Sequence, residues 1–219
     1  MFEILETKAS LQQDNDVAAN DVRQYLKSHQ VYLVNLMGSP GAGKTSVLQR
    51  IIELLKDRYR IGVMEADVDS DVDAKAIASL GVKVIQLHTG GSCHMDARMT
   101  EKGLHALGIE DVDVVFLENV GNLVCPAEFD VGANLKMMIL STPEGDDKPL
   151  KYPLMFQVSD CMLINKIDVK EVFGFDAAKA KEYALALNPH LEIFAVSAKS
   201  GEGFAAVIGY LCQKIEEQS

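Results

Sequence analysis

The sequence predicts an α/β fold: one doubly wound, mostly parallel sheet. Three observations point to it. Short apolar runs rich in branched residues alternate with stretches of helical period along the chain. The first such run leads into a glycine-rich loop and then a helix. The chain has 219 residues, 48% of them hydrophobic, which suffices to bury a full core of this class. No linker long enough to split it into two large domains is visible. Residues 1–28 read as an N-terminal polar segment and helix, and residues 29–219 as the main domain.

Taken in order, residues 1–16 are polar and carry no clear period, while Val17, Val22, Tyr25 and Leu26 mark an amphipathic helix ending near Ser28. Val31 to Met37, VYLVNLM, is a strand buried on both faces. After the glycine loop, Val47, Leu48, Ile51, Ile52, Leu54 and Leu55 mark a helix. RIGVMEAD is a strand, DAKAIASL a helix closed at Gly81, VKVIQL a strand, and MDARMTEKGLHAL a helix closed at Gly108. VDVVFLEN and CMLIN are strands, DAAKAKEYALAL a helix stopped before Pro189, EIFAVS a strand, and Phe204 to Ile215 a final helix. The stretch from Pro126 to Pro153 holds four of the six prolines and the polar run TPEGDDKP, and reads as a flexible segment.

Charge excludes several roles. Twenty-one Lys and Arg against 32 Asp and Glu give a net charge of −11, unsuited to tracking nucleic-acid phosphates or an anionic membrane. Low-complexity tracts are absent, and no window is apolar enough to span a bilayer. The N-terminus lacks the basic and apolar regions of a signal peptide, and four scattered cysteines do not make a disulfide scaffold. A reduced, cytoplasmic protein is expected.

Residues 38–45, GSPGAGKT, fit G-x-x-x-x-G-K-[ST], roughly a one-in-a-hundred chance match in a chain this long. The loop sits between strand and helix, as a P-loop NTPase requires. Gly38, Ser39, Pro40, Gly41, Ala42 and Gly43 form the nucleotide-binding loop, in which Gly41 and Gly43 let backbone N–H groups turn toward phosphates, and the helix that begins here and carries Ser46 adds its positive end. Lys44 supplies a point charge for the β- and γ-phosphates and serves as a catalytic residue; the Thr45 hydroxyl suits Mg²⁺. Asp67 and Glu118 end neighbouring strands and are placed to hold Mg²⁺ directly or through water. Gly121 offers its N–H to the γ-phosphate. Among the acidic residues after Asp67, Asp71 reads as a helix cap and Asp73 as the residue orienting the attacking water.

The base is read by NKID, residues 165–168, directly after a strand. Asp168 accepts from the N1–H and exocyclic amine of guanine, which adenine does not present in that arrangement. A site built for such bonds rejects the wrong base by up to about 10⁴-fold. The Lys166 stem lies across the base, Asn165 ties this loop to the phosphate loop, and the Ser197, Ala198, Lys199 backbone meets guanine O6. GTP is therefore expected over ATP.

A second constellation is Cys93 and His94, after Gly90-Gly91-Ser92, with Cys125 seven residues beyond Glu118. Two thiolates and an imidazole suit Ni²⁺ or Zn²⁺. Spacing alone is weak, since no C-x-x-C is present, and incidental cysteines remain the alternative. Both loops follow parallel strands, however, so both fall at the sheet edge that holds the nucleotide. The fourth position of a tetrahedral ion is left to water or to a second subunit. Cys161 and Cys212, within apolar stretches, read as core, as do Met95 and Met99; His29, His88, His105 and His190 read as structural.

GSPGAGKT, EADVDSDVDA, HTGGSCHMDA, ENVGNLVCPAEFDVG, NKID and SAK, in that order, resemble the HypB family, SIMIBI-type GTPases that incorporate nickel into the [NiFe] hydrogenase precursor. The resemblance covers nearly the whole chain. It implies a metal site at Cys93, His94 and Cys125, slow GTP hydrolysis and a homodimer favoured by GTP. It also implies two partners: the small nickel-binding protein HypA and the hydrogenase large-subunit precursor. Many relatives add an N-terminal cysteine motif or a histidine-rich tract, but residues 1–28 contain no Cys and no His, so neither is expected here. Asn122 rather than Gln follows Gly121, which fits slow turnover. Three alternatives stay open: a urease accessory GTPase, although its Cys-Pro-His reads Cys125-Pro126-Ala127 here; an ATP-using partition or kinase-like enzyme; and a metal-binding scaffold with a vestigial nucleotide site.

Overall fold

A computed structural model describes residues 7–67 and 72–218. Helix α1 (Thr7–His29) leads into β1 (Tyr32–Gly38), α2 (Lys44–Leu55), β2 (Ile61–Asp67), α3 (Val72–Ala78), β3 (Lys83–His88) and α4 (Ala97–Leu107). There follow β4 (Val114–Glu118), α5 (Cys125–Glu128), β5 (Leu135–Ser141), α6 (Lys148–Lys151) and α7 (Pro153–Val158). The chain ends with β6 (Cys161–Asn165), α8 (Ala177–Leu187), β7 (Glu192–Ala195) and α9 (Phe204–Glu216). The seven strands form one sheet in the order β3-β2-β4-β1-β5-β6-β7, and every neighbouring pair is parallel. The doubly wound sheet expected from the alternation is therefore present, and all carboxyl ends of its strands lie along one edge.

Strand β1 sits at the centre and every residue in it is buried. Its alternating side chains serve opposite faces. Val34 and Leu36 join Val47, Leu48, Ile51, Phe116, Phe204 and Leu211 under α2 and α9, whereas Leu33 packs with Val22, Leu26, Leu104 and Leu117 under α1 and α4. A third cluster, with Met37, Met138, Phe156 and Met162, lies under α7 and α8. Asp96 caps α4 by accepting the Met99 N–H at 2.7 Å, and Gly108 ends that helix with φ +66°, as its sequence requires.

Two expectations fail. Residues 126–153 are not a flexible segment: they carry α5, α6 and the fully internal strand β5, which pairs with β1 and β6. LKMMILS has a single β-branched residue, and its Leu and Met are good helix formers, so burial between two strands overrides local propensity. Helix α1 begins at Thr7, well before Val17, and Val17 itself points outward with 64% exposure. The buried stripe runs through Asn15, Ala18, Ala19, Val22 and Leu26. One of its members is polar, and that hides the period.

Candidate nucleotide and metal site

The phosphate loop leaves the central strand and enters α2 at Lys44. Gly43 has φ +93°, and a Cβ there would stand 2.6 Å from Asn165 Nδ2, so only glycine fits against the base loop. Gly121 packs against the same loop from the other side; a Cβ would meet Pro40 N at 2.9 Å. Lys44 is buried, its Nζ 3.5 Å from the Ser39 carbonyl.

The base-binding groups are already joined to one another. Asn165 Nδ2 donates to Ala42 O at 3.0 Å and Lys166 Nζ to Gly41 O at 2.6 Å, which fixes NKID to the phosphate loop. Ser197 Oγ donates to Asp168 Oδ1 at 2.7 Å, and Ala198 N–H to Asn165 Oδ1 at 3.1 Å. Lys166 holds a left-handed φ of +64°, and its carbonyl accepts from Thr142 Oγ1 at 2.9 Å. A cavity of about 460 Å³ opens among Gly43, Ser46, Asn165, Lys166, Asp168 and Lys199. Two of its supports escape the sequence reading: Thr142, which follows the unexpected β5, and Arg50, whose Nη2 lies 3.4 Å from Ala198 O.

On the opposite side of the phosphate loop stand buried carboxylates. Thr45 Oγ1 donates to Glu118 Oε1 at 2.8 Å, which brings the two residues together beside the phosphate loop. Glu118 is joined by Asp73 and by Glu65, which the sequence reading passed over; one carboxylate oxygen from each lies within 4.8 Å of the others. Glu65 is the register partner of Glu118 across β2 and β4, and only 3% of it is exposed. Burial pushes both Glu65 and Glu118 up to about 7, against the pull of Lys44. Oε2 of each is buried without a protein partner, which a divalent cation with its waters would satisfy. Asp67 ends β2 half-buried and outside this group, its carbonyl accepting the Thr89 N–H at 3.2 Å. Asp69 and Asp71, including the expected cap, lie outside the described residues.

The third group is the sulfur and imidazole set. Cys93, on the loop after β3, and Cys125, opening α5, have their Sγ atoms 3.0 Å apart, with His94 Nδ1 3.7 Å from Cys93 Sγ. Donor atoms of all three residues fall within 4.8 Å, which suits one soft cation. The hydrogen bond from the Cys93 thiol raises the Cys125 thiol, while burial lowers His94. Phe129, closing α5, stacks on His94 with ring centroids 4.1 Å apart and planes at 25°. From α1, Asn15 accepts the Ala97 N–H at 3.0 Å and donates to Asp130 O at 2.8 Å, so one buried amide joins the segments that carry His94 and Cys125. Cys161 and Cys212 are buried in the core, as expected, and Met95 is buried with them.

Comparison with known proteins gives the family. The family model described as CobW/HypB/UreG, nucleotide-binding domain, matches residues 32–195. The hydrogenase maturation factor HypB of Rhizobium leguminosarum is 42% identical over 208 residues, 95% of this chain and 70% of that protein. The probable hydrogenase maturation factor HypB of Methanocaldococcus jannaschii is 36% identical over 214 residues, 98% of this chain and 97% of that protein. The crystal structure of HypB from Helicobacter pylori in complex with nickel superposes with a TM-score of 0.89 at 37% identity, covering 93% of this chain and 96% of that one. The chain belongs to the CobW/HypB/UreG family of nucleotide-binding domains and, within it, to the HypB proteins.

Proposed function

We propose that the protein is a GTP-hydrolysing metallochaperone that assists insertion of nickel into the [NiFe] hydrogenase large subunit. The observation that carries this reading is the adjacency of three sets along one sheet edge: a guanine clamp, buried carboxylates beside Thr45, and a Cys-His-Cys cluster. GTP is held by the residue 38–46 loop, Gly121, Asn165, Lys166, Asp168 and the 197–199 backbone. Mg²⁺, when bound by Thr45 and Glu118 with Glu65 and Asp67 close by, neutralises charge on the β- and γ-phosphates. Lys44 stabilises the charge that builds between those phosphates as the bond breaks. Asp73, exposed at the mouth of the carboxylate group, orients the attacking water. Nothing in the 121–125 segment supplies a glutamine for that task, which fits slow turnover.

Nickel is the cargo, taken by Cys93, His94 and Cys125; Zn²⁺ fits the same donors. Loss of the γ-phosphate frees the Gly121 segment, and this shifts Cys125 a few residues away. The exposed Val72 and Val124 border the two loops and favour a second copy of the chain meeting here in the GTP state. The hydrogenase precursor as client is supported by the names that the relatives carry, and a HypA-like nickel-binding protein as donor by the resemblance in sequence alone.

The test combines turnover and metal counting. Wild type is expected to hydrolyse GTP, not ATP, and to hold one nickel per chain; Lys44→Ala loses turnover, and Cys93→Ala or Cys125→Ala loses nickel. Nickel retained by both cysteine variants, or equal use of ATP, overturns the reading.

A further inference from the structure

The metal-bearing loops have three amide anchors, and they differ in what lies at the far end. Asn119 accepts the Met95 N–H at 3.1 Å and donates to Asn35 Oδ1 at 3.2 Å, so it ties the residue after His94 to the buried centre of β1. Asn15 ties the same region to α1. Both lead into packed core that has no reason to move with the nucleotide. Asn122 is different. Its N–H donates to Gly38 O at 3.0 Å in an isolated antiparallel bridge to the first residue of the phosphate loop. Its side chain donates to Cys93 O at 3.3 Å and accepts the Val124 N–H, next to Cys125, at 2.9 Å.

One residue thus touches the phosphate loop with its main chain and both metal-bearing segments with its side chain. The step before it cannot slip, because Gly121 is wedged against Pro40 with no room for a Cβ. A displacement of the phosphate loop is passed to the 121–122 backbone, and the Asn122 amide converts it into a pull on the Cys93 carbonyl and on the Val124 N–H beside Cys125.

We infer that Asn122 is the positioning residue that transmits the nucleotide state to the nickel site. This rests on the proposed reading of Cys93, His94 and Cys125 as nickel ligands. Asn122 is not itself a ligand in this account, and it acts through the two cysteines. Coupling between two such sites in one domain is ordinarily about 5- to 150-fold in affinity.

The experiment is a nickel titration of the full chain, with Mg²⁺, loaded with GDP or with a non-hydrolysable GTP analogue. It is read by affinity and by the nickel–thiolate charge-transfer absorption. Wild type is expected to bind nickel at least about 5-fold more tightly in the GTP-analogue form, with a different absorption in each form. In Asn122→Ala and Asn122→Leu the ratio is expected to fall to within about 2-fold of one, and the two absorptions to coincide. Leucine keeps the branched shape of asparagine without its polar atoms and alanine removes it, so agreement between the variants assigns the effect to the lost amide. A ratio that survives in both variants overturns the role of Asn122 and leaves the coupling standing. Nickel binding lost equally in both nucleotide forms also overturns it, because Asn122 would then only support the ligands. A wild-type ratio of one overturns the coupling and this inference together.

Discussion

The two flanks of the phosphate loop are built on opposite principles. On the base side the polar groups of the loops are joined in pairs, Asn165 with Ala42, Lys166 with Gly41, Ser197 with Asp168, Thr142 with Lys166, and Arg50 Nε behind them is buried without a partner among the described residues. On the metal side Glu65 and Glu118 each keep a buried oxygen without a protein partner, and two thiols stand with their sulfurs 3.0 Å apart. The first flank is organised before any ligand arrives, and it spends binding energy on recognition alone. The second is held in a costly state that cations relieve, so its geometry depends on what is bound. A base clamp that stays fixed while the opposite side rearranges is what a nucleotide-timed carrier needs.

The largest expected effect is on the fixed side. Asp168→Ala removes the acceptor for guanine and for the Ser197 hydroxyl proton, so GDP affinity, measured with a fluorescent analogue, should fall about 10³-fold or more. Nickel affinity of the nucleotide-free protein should not change. A parallel loss of nickel binding would show that the two flanks are one rigid unit, and the contrast would fail.

Next comes the carboxylate pair. Glu65→Gln should weaken Mg²⁺-dependent GTP-analogue binding about 10-fold, read by Mn²⁺ titration in its place, while affinity without the cation stays as it was. The same variant tests the electrostatics. A carboxyl whose folded pKa is raised to about 7 favours the fold while protonated. That contribution is whole below the ordinary carboxylate pKa and is lost as pH climbs through 7. The metal-free protein should therefore unfold more easily at about pH 8 than at about pH 5.5. Glu65→Gln should flatten this difference by about 2 kcal/mol in denaturant titrations, the part of a shift from 4.5 to about 7 that falls between those two pH values. An unchanged pH profile would mean that Glu65 is paired in solution.

Smaller effects belong to the supports. Phe129→Leu removes the ring stacked on His94 and should lower nickel affinity about 5-fold, with Phe129→Tyr close to wild type; equal affinities in all three would make the stack incidental. Thr142→Val frees the Lys166 carbonyl and should cost about 1 kcal/mol of GDP affinity, visible as a faster off-rate.

The sequence makes the fixed flank far more legible than the responsive one. GSPGAGKT and NKID are contiguous, and each sits at a strand end that its own apolar run announces, so recognition chemistry and location come together. Cys93, His94 and Cys125 are visible as types, but only parallel topology brings their loops to one place. Glu65 stays hidden because it lies inside RIGVMEAD, where an acidic residue looks like an ordinary outward strand position. Its partner is set by the β2–β4 register, which no local pattern encodes. Asn15 and Asn122 stay hidden for a related reason: an asparagine in a polar helix or a turn needs no explanation until the segments it joins are known. Strand β5 shows the limit of propensity, since methionine and leucine say little about whether a run will be enclosed by neighbouring strands.

The most direct measurement of the coupled design runs in reverse. Affinity for a GTP analogue, with Mg²⁺, is compared between nickel-loaded and nickel-free protein. Linkage requires nickel to tighten GTP-analogue binding relative to GDP by the factor by which the analogue tightens nickel, about 5-fold or more. The same GTP-analogue to GDP affinity ratio with and without nickel would contradict the account, because the two sites would then share a sheet edge without sharing free energy.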